Sequence, residues 1–206
     1  MRYAKLSLLG TALLLAAGCG EGARIELSVA SDDPQTVQRT QAILYYRLNE
    51  ATRNPFSNLA TGYFPETGKL VFEYDRSAPD PDSLRFLYET TGHFRLAVAG
   101  GEGEEAEWVA NDDIETADAS RSGDAGQVFL ALNPKSAERL QTLSTANIGV
   151  RLVSSIDGRA FQEATVQAPF GRYLKIDVDS ETQARNLAIV LRSGALPTQV
   201  VQYASD

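Results

Sequence analysis

The feature that most limits what this chain can fold into is a change of apolar period that recurs along it. Alternation at two, the mark of a half-buried strand, gives way to helical spacing and then returns. Ile25, Leu27 and Val29 alternate within residues 24–30. Asp32-Asp33-Pro34 then opens a helix. An Asp side chain can accept from the free N–H groups of a first turn, and Pro fits where its missing N–H is no loss. Val37, Leu44, Leu48 and Ala51 share one face of that helix, and Asn54-Pro55 ends it. Residues 59–64 and 69–74 read as a hairpin around Glu66-Thr67-Gly68. Asp80-Pro81 opens a second helix with Leu84, Leu87 and Tyr88 on one face, and Gly92 stops it. Phe94, Leu96 and Val98 alternate in the strand that follows, residues 93–99.

The same order returns after residue 126. Residues 127–132 form a strand, and Asn133-Pro134 caps a helix that carries Ala137, Leu140 and Leu143. Residues 149–156 and 159–166 flank Asp157-Gly158, a two-residue turn whose positive φ values suit a twisted hairpin. Leu174, Ile176 and Val178 alternate, and Ser180 with Gln183 forms a capping box ahead of Ala184, Leu187, Ala188 and Leu191. Gly194 closes that helix, and residues 198–203 make a last strand. Each half approximates β-α-β-β-α-β, the split βαβ order. The expected fold is therefore α+β: two ferredoxin-like sandwich subdomains, 24–100 and 127–206, joined by a connector at 101–126.

The connector is set apart by charge. It holds nine acidic residues against Arg121 alone, in a stretch rich in Gly, Ala, Ser and Asp. Such a segment favours turns and builds little core, so it is expected to be mobile except for a short ordered patch near Trp108-Val109 and Ile114. The whole chain has a net charge of −8. That disfavours nucleic acid as a partner, because phosphate binding runs on clustered Lys and Arg. A single Cys excludes an internal disulfide and any Cys-based zinc site, and a single His leaves only His93 for a Ser-His-Asp arrangement.

That single Cys sits at a telling position. Arg2 and Lys5 make a cationic start, and an apolar run follows from Leu6 to Ala17. It has the length of a secretory h-region and falls short of the roughly 20 residues of a spanning helix. Ala16-Ala17-Gly18 then precedes Cys19. The arrangement resembles the lipobox of bacterial lipoproteins, although Ala16 stands where that family usually has Leu. The resemblance implies cleavage after residue 18, a diacylglycerol thioether with palmitate on Cys19, and a tether over 19–23. An ordinary signal peptide with a chance Cys is the plainer reading. The lipoprotein reading places the body of the protein in the cell envelope, facing the periplasm or the outside on a lipid tether.

A second resemblance spans residues 30 to 200. Asn147-Ile148-Gly149-Val150-Arg151-Leu152, the Asp157-Gly158 turn, Pro169-Phe170-Gly171-Arg172 and Leu191-Arg192-Ser193-Gly194-Ala195-Leu196-Pro197 occur in an order similar to the first extracytoplasmic domain of SecD/SecDF. Ile43-Leu44 with Arg47-Leu48-Asn49-Glu50, and the stretch from Asp80-Pro81 to Thr91-Gly92, resemble its first half. The resemblance implies a base at 24–100 and a head at 127–206, acting in protein export on unfolded polypeptide or on a Sec translocase component. Two departures stand out: Val150 follows Asn-Ile-Gly where that family commonly has a polar residue, and Thr165 stands where Pro is frequent. The intramembrane polar residues of the SecDF motor have no counterpart in residues 19–206. A small-molecule or cell-envelope binding lipoprotein built on the same fold is the alternative.

Candidate chemistry is sparse. His93 opens a strand without convergent partners and reads as structural or solvent-facing. Asp112, Asp113, Glu115 and Asp118 lack the spacing of a calcium loop and read as a solvated acidic segment. Gly100-Gly101-Glu102-Gly103 is no phosphate cradle, because the acids after it would repel an anion. Tyr45, Tyr46, Tyr63, Phe64, Phe72 and Tyr74 offer aromatic surface for a peptide, though core packing is the commoner use of such residues. No catalytic, cofactor or metal-binding residue is assigned. Cys19 is the one assigned position, for lipidation. Replacing it by Ala is expected to abolish fatty-acid labelling and membrane fractionation. Unchanged labelling in Cys19→Ala would remove the lipobox reading.

Overall fold

The alternating segments fold as strands, and the helical segments begin where their caps stand. β1 (Ala23–Val29) turns Ile25 and Leu27 inward, both buried. α1 (Pro34–Ala51) starts at Asp33, whose Oδ2 accepts from the Thr36 amide at 2.8 Å. β2 (Ala60–Phe64) and β3 (Lys69–Tyr74) form the hairpin, and α2 (Pro81–Glu89) follows. The computed structural model describes residues 23–52, 59–74, 81–101 and 106–202. The leader, Cys19, Asn54-Pro55 and residues 102–105 of the connector lie outside the described residues.

From here the architecture departs from two self-contained sandwiches. The strand expected to close the first sheet, β4 (Phe94–Val98), leaves it altogether. It pairs with β5 (Glu107–Ala110) on one side and β8 (Arg151–Ile156) on the other. The edge place beside β1 is taken by the last strand, β11 (Val200–Gln202), in register Leu27 to Gln202. The first sheet thus runs β11-β1-β3-β2. The rest of the chain builds two more sheets. One is β10-β7-β6, from β10 (Tyr173–Val178), β7 (Ala125–Leu132) and β6 (Ile114–Ser122). The other is β5-β4-β8-β9, closed by β9 (Arg159–Thr165). Alternation tells which face of a strand is buried but carries no record of the neighbour it will join. That is why the elements were readable and their pairing was not.

The acidic connector is likewise structured from residue 106 onward. Trp108, Val109 and Ala117 are buried, so the patch expected near Trp108 holds, while the mobility expected around it gives way to strand. Asp113, in the 3₁₀ turn Asn111–Asp113, fixes this segment to α3 (Pro134–Ala146). Its carboxylate accepts from the Ala110 amide at 2.9 Å, from Ser136 Oγ and from Arg139 at 2.6 Å. The low apolar content of β6 has a packing cause. α4 (Glu181–Ser193) passes so close to this sheet that a Cβ on Gly126 would lie 2.2 Å from the Ser180 carbonyl oxygen and 2.7 Å from Ala184 Cβ. Only small residues fit such an approach, and Ala117, Gly126, Ala184 and Ala188 supply them.

Two apolar cores result, and α4 serves both. Ala184, Leu187, Ala188 and Leu191 enter the core shared by the second and third sheets, with Phe94, Trp108, Val128, Leu130 and Leu152. Ile189 and Val190 enter the core of the first sheet, with Leu27, Leu44, Leu48, Phe72 and Tyr88.

Asp113 offers a test through pH. Burial pushes its carboxyl pKa up, but the bonds from Ser136, Ala110 and Arg139 outweigh burial and hold it below the ordinary value. A carboxyl depressed in the folded state stabilises fully above its unfolded pKa, and that contribution is lost as pH falls through the folded value. Asp113→Ala is therefore expected to cost roughly 2 kcal/mol at neutral pH. In urea denaturation the gap from wild type should close as pH drops below the ordinary carboxyl range. A gap independent of pH would refute the assignment.

Candidate functional site

The helix ends converge on one side chain. Arg47 stands in the last turns of α1, fully buried, on a face otherwise given to Leu44 and Leu48. Its Nε donates to Ser193 Oγ at 2.7 Å, Nη1 to the carbonyls of Leu87 and Thr90 at 3.0 and 2.6 Å, and Nη2 to those of Thr91 and Gly194 at 3.1 and 2.8 Å. Four of these acceptors are carbonyls at or just beyond the ends of α2 and α4, the groups that a helix leaves without intrahelical partners. Burial pulls the Arg47 pKa down to about 10, and the negative charge of Asp157 opposes the fall. The side chain remains cationic at neutral pH.

Asp157 belongs to the same node. It occupies the β8–β9 turn at φ 49°, followed by Gly158 at φ 76°, the positive pair the turn sequence implied. Its carboxylate accepts from Thr91 Oγ1, from the Gly92 amide at 3.0 Å and from the His93 amide at 2.9 Å. Gly92 has φ 91°, and a Cβ there would come within 2.7 Å of Arg47 Nη2 and 2.8 Å of Val190 Cγ1. Gly194 has φ 76° and ψ 176°, a region essentially reserved for glycine. The segments that carried the family resemblance, Arg47, Thr91-Gly92, Asp157-Gly158 and Ser193-Gly194, thus meet at one polar centre, buried at Arg47 and exposed at Asp157.

Beside this centre lies an open cavity of about 720 Å³. α2 lines it with Arg85 and Phe86, the β8–β9 hairpin with Ile156, Arg159 and Phe161, and β11 with Val200 and Val201. Leu187 of α4 and Val178 of β10 close its floor. Phe86 and Val201 are exposed at 39% and 60%. Half of the lining is apolar and half polar, with Glu89, Asp157, Gln183 and Gln199 among the polar residues, which suits a ligand that carries both kinds of group.

The residues singled out from sequence are placed as follows. The His93 side chain is exposed, and only its backbone joins the node. Phe72 and Tyr74 are core, Tyr63 packs against that core, and Tyr45, Tyr46 and Phe64 are exposed away from the cavity. The acidic group is dispersed among partners: Asp113 on α3, Glu115 with Arg172, Asp118 3.9 Å from Arg192. Among the described residues no group of three or more His, Cys, Asp or Glu side chains could hold a metal. Sequence reasoning passed over Phe86, Phe161 and Arg159, whose only signal was an exposed apolar or cationic residue beside a turn. No described helix is long and apolar enough to cross a membrane.

The fold and the matched segments are similar to those of the extracytoplasmic domain of SecD/SecDF. Residues 103–198 match the model of the SecDF P1 head subdomain. The protein translocase subunit SecDF of Thermus thermophilus is 37% identical over 73 residues, 34% of this chain and 10% of that protein. A crystal structure of SecDF in a super-membrane-facing form superposes with a TM-score of 0.69 at 20% identity, covering 89% of this chain and 30% of the other. A second solved chain, from work on SecDF as a membrane component that enhances protein export, gives 0.65 at 19% identity, covering 89% of this chain and 99% of that one. This chain carries a SecD/SecDF extracytoplasmic domain, and it spans about a tenth of the Thermus subunit's length.

Removing the Arg47 guanidinium would take a donor from four backbone carbonyls; Thr91 keeps the Leu196 amide at 2.7 Å and Gly194 the Ser193 hydroxyl at 3.2 Å, while Leu87 and Thr90 lose theirs. Arg47→Leu is expected to lower unfolding free energy by about 3–5 kcal/mol. Arg47→Lys should recover less than half of that loss, since one ammonium cannot span both helix ends. Chemical denaturation of the two variants checks this. Equal stability of Lys and Arg at this position would show that charge alone is needed.

Proposed function

We propose that this protein is a non-enzymatic, lipid-anchored module at the extracytoplasmic face that binds polypeptide, or a Sec-type membrane partner, in protein export. The observation that carries the reading is the open cavity between α2, the β8–β9 hairpin and β11, whose lining is half apolar, set in a domain of the SecD/SecDF type. Exported chains emerge unfolded, and the surface they offer a receptor is extended backbone with apolar side chains. A cavity walled by Phe86, Ile156, Phe161 and Leu187 removes that apolar surface from water without demanding one sequence. The anchor would act through Cys19, whose lipid would hold the module within reach of the membrane where such chains appear. The intramembrane motor residues of SecDF have no part in this reading, which asks only for capture and release. Photocrosslinking in cells separates it from the alternatives. A photoreactive residue at Ala160, on the cavity wall, should capture secretory precursors or a Sec subunit, and capture should fall when export is blocked. The same probe at Lys135, on α3 away from the cavity, should not. Equal capture from both positions, or none from Ala160, would contradict the proposal.

A further inference from the structure

The free edge of β11 leaves one residue's amide and carbonyl without a strand partner among the described residues. Ala30 donates its amide to the Gln199 carbonyl at 3.1 Å, while the Val29 amide turns the other way and donates to Gly68 at 3.2 Å. Val200 is the register partner of Val29. In an antiparallel ladder such a pair points its N–H and C=O groups away from each other. The Val200 amide and carbonyl therefore face outward from β1. β11 is the edge of its sheet, so no strand lies on that side. The Val200 side chain packs in the core of the first sheet, and among the described residues β11 pairs with β1 alone. Val200 lines the cavity. A sheet edge that faces a cavity presents unpaired N–H and C=O groups and is a template for pairing with another chain.

We infer that the cavity binds an extended, apolar polypeptide segment by strand addition to β11; the inference rests on the polypeptide reading above and specifies its chemistry. One residue of an added strand offers both an acceptor and a donor at the spacing that Val200 requires. Alternate side chains of that strand would then point toward Phe86, Ile156, Phe161 and Leu187. The opposite wall is β9, itself the edge strand of its sheet, so the bound segment runs between two sheet edges. Charge sets a preference as well. The wall carries Arg85 and Arg159 together with Glu89 and Asp157; Glu89 lies 3.8 Å from Arg85 and Asp157 accepts from Thr91, Gly92 and His93, while Arg159 has no ion-pair partner among the described residues. An acidic flank on the segment is favoured over a basic one.

The test uses the purified chain and a fluorescein-labelled decapeptide of four Val-Thr repeats with Glu at each end. Its companions are the same peptide N-methylated at its two central residues, one on each strand edge, and a version with Lys at each end. Saturable binding of the first peptide is expected in fluorescence anisotropy. N-methylation should weaken it about tenfold or more, the effect of leaving a buried backbone pair unsatisfied. Arg159→Glu should weaken the Glu-flanked peptide and spare the Lys-flanked one. Equal affinity for the methylated and unmethylated peptides would overturn strand addition while leaving polypeptide binding in place. Binding of none of the three peptides would overturn both. A concentration-dependent dimer that Arg159→Glu dissociates, without peptide binding, would assign the cavity to a second copy and overturn the inference.

Discussion

Arg47 sits where two helices run out of hydrogen-bond partners. α2 and α4 both end beside it, and each leaves carbonyls that water would otherwise have to satisfy. In the guanidinium fork Nη1 reaches Leu87 and Thr90, Nε reaches Ser193, and Nη2 bridges the two helix ends through Thr91 and Gly194. An apolar side chain of the same bulk would fill the space but take the Arg47 donors from the carbonyls of Leu87 and Thr90. A Lys would bring the charge without the planar reach. Burying the cation is costly, as its lowered pKa records, but the negative ends of the helices and the charge of Asp157 offset that cost. The geometry permits no alternative at Gly92, which must leave room for the guanidinium while turning at positive φ.

From that centre the constraint spreads in two directions. Through α4 it joins the cores, because Ile189 and Val190 face one and Leu187 and Leu191 the other along a single 13-residue helix. Through Asp157 it holds the β8–β9 hairpin against Thr91, Gly92 and His93, the segment that passes from α2 into β4. The cavity is the consequence. Its walls come from α2, the hairpin and β11, and the Arg47–Asp157 centre keeps the first two at a fixed separation. The proposed receptor surface would thus be shaped by Arg47, which does not line it, acting beside Asp157, which does.

Much of this was legible in the sequence, and the rest was hidden for physical reasons. Asp33, Asn133 and Ser180 each cap the helix they were expected to cap, and Asp157-Gly158 makes its turn. Gly194 ends α4 at positive φ. The strand partners were not legible. β4 and β11 exchange the places that a simple β-α-β-β-α-β repeat would give them, and period-two alternation is silent on partners. β6 hid in an acidic stretch because α4 presses so near that only Ala and Gly fit inward, leaving little apolar signal. Arg47 hid for the opposite reason: an Arg on a helix is ordinarily solvated, and only its neighbours in space make it core. The family motifs around it were visible as a resemblance, but their convergence on one side chain required coordinates.

The central claim is that Arg47 and α4 bind the two cores into one cooperative unit. Native-state hydrogen exchange measured across added denaturant tests it most directly. Amides of β1 and β3 in one core and of β7 and β8 in the other should lose protection with the same free energy and the same denaturant dependence. Protection in β7 and β8 that persists after β1 and β3 have opened would contradict the account.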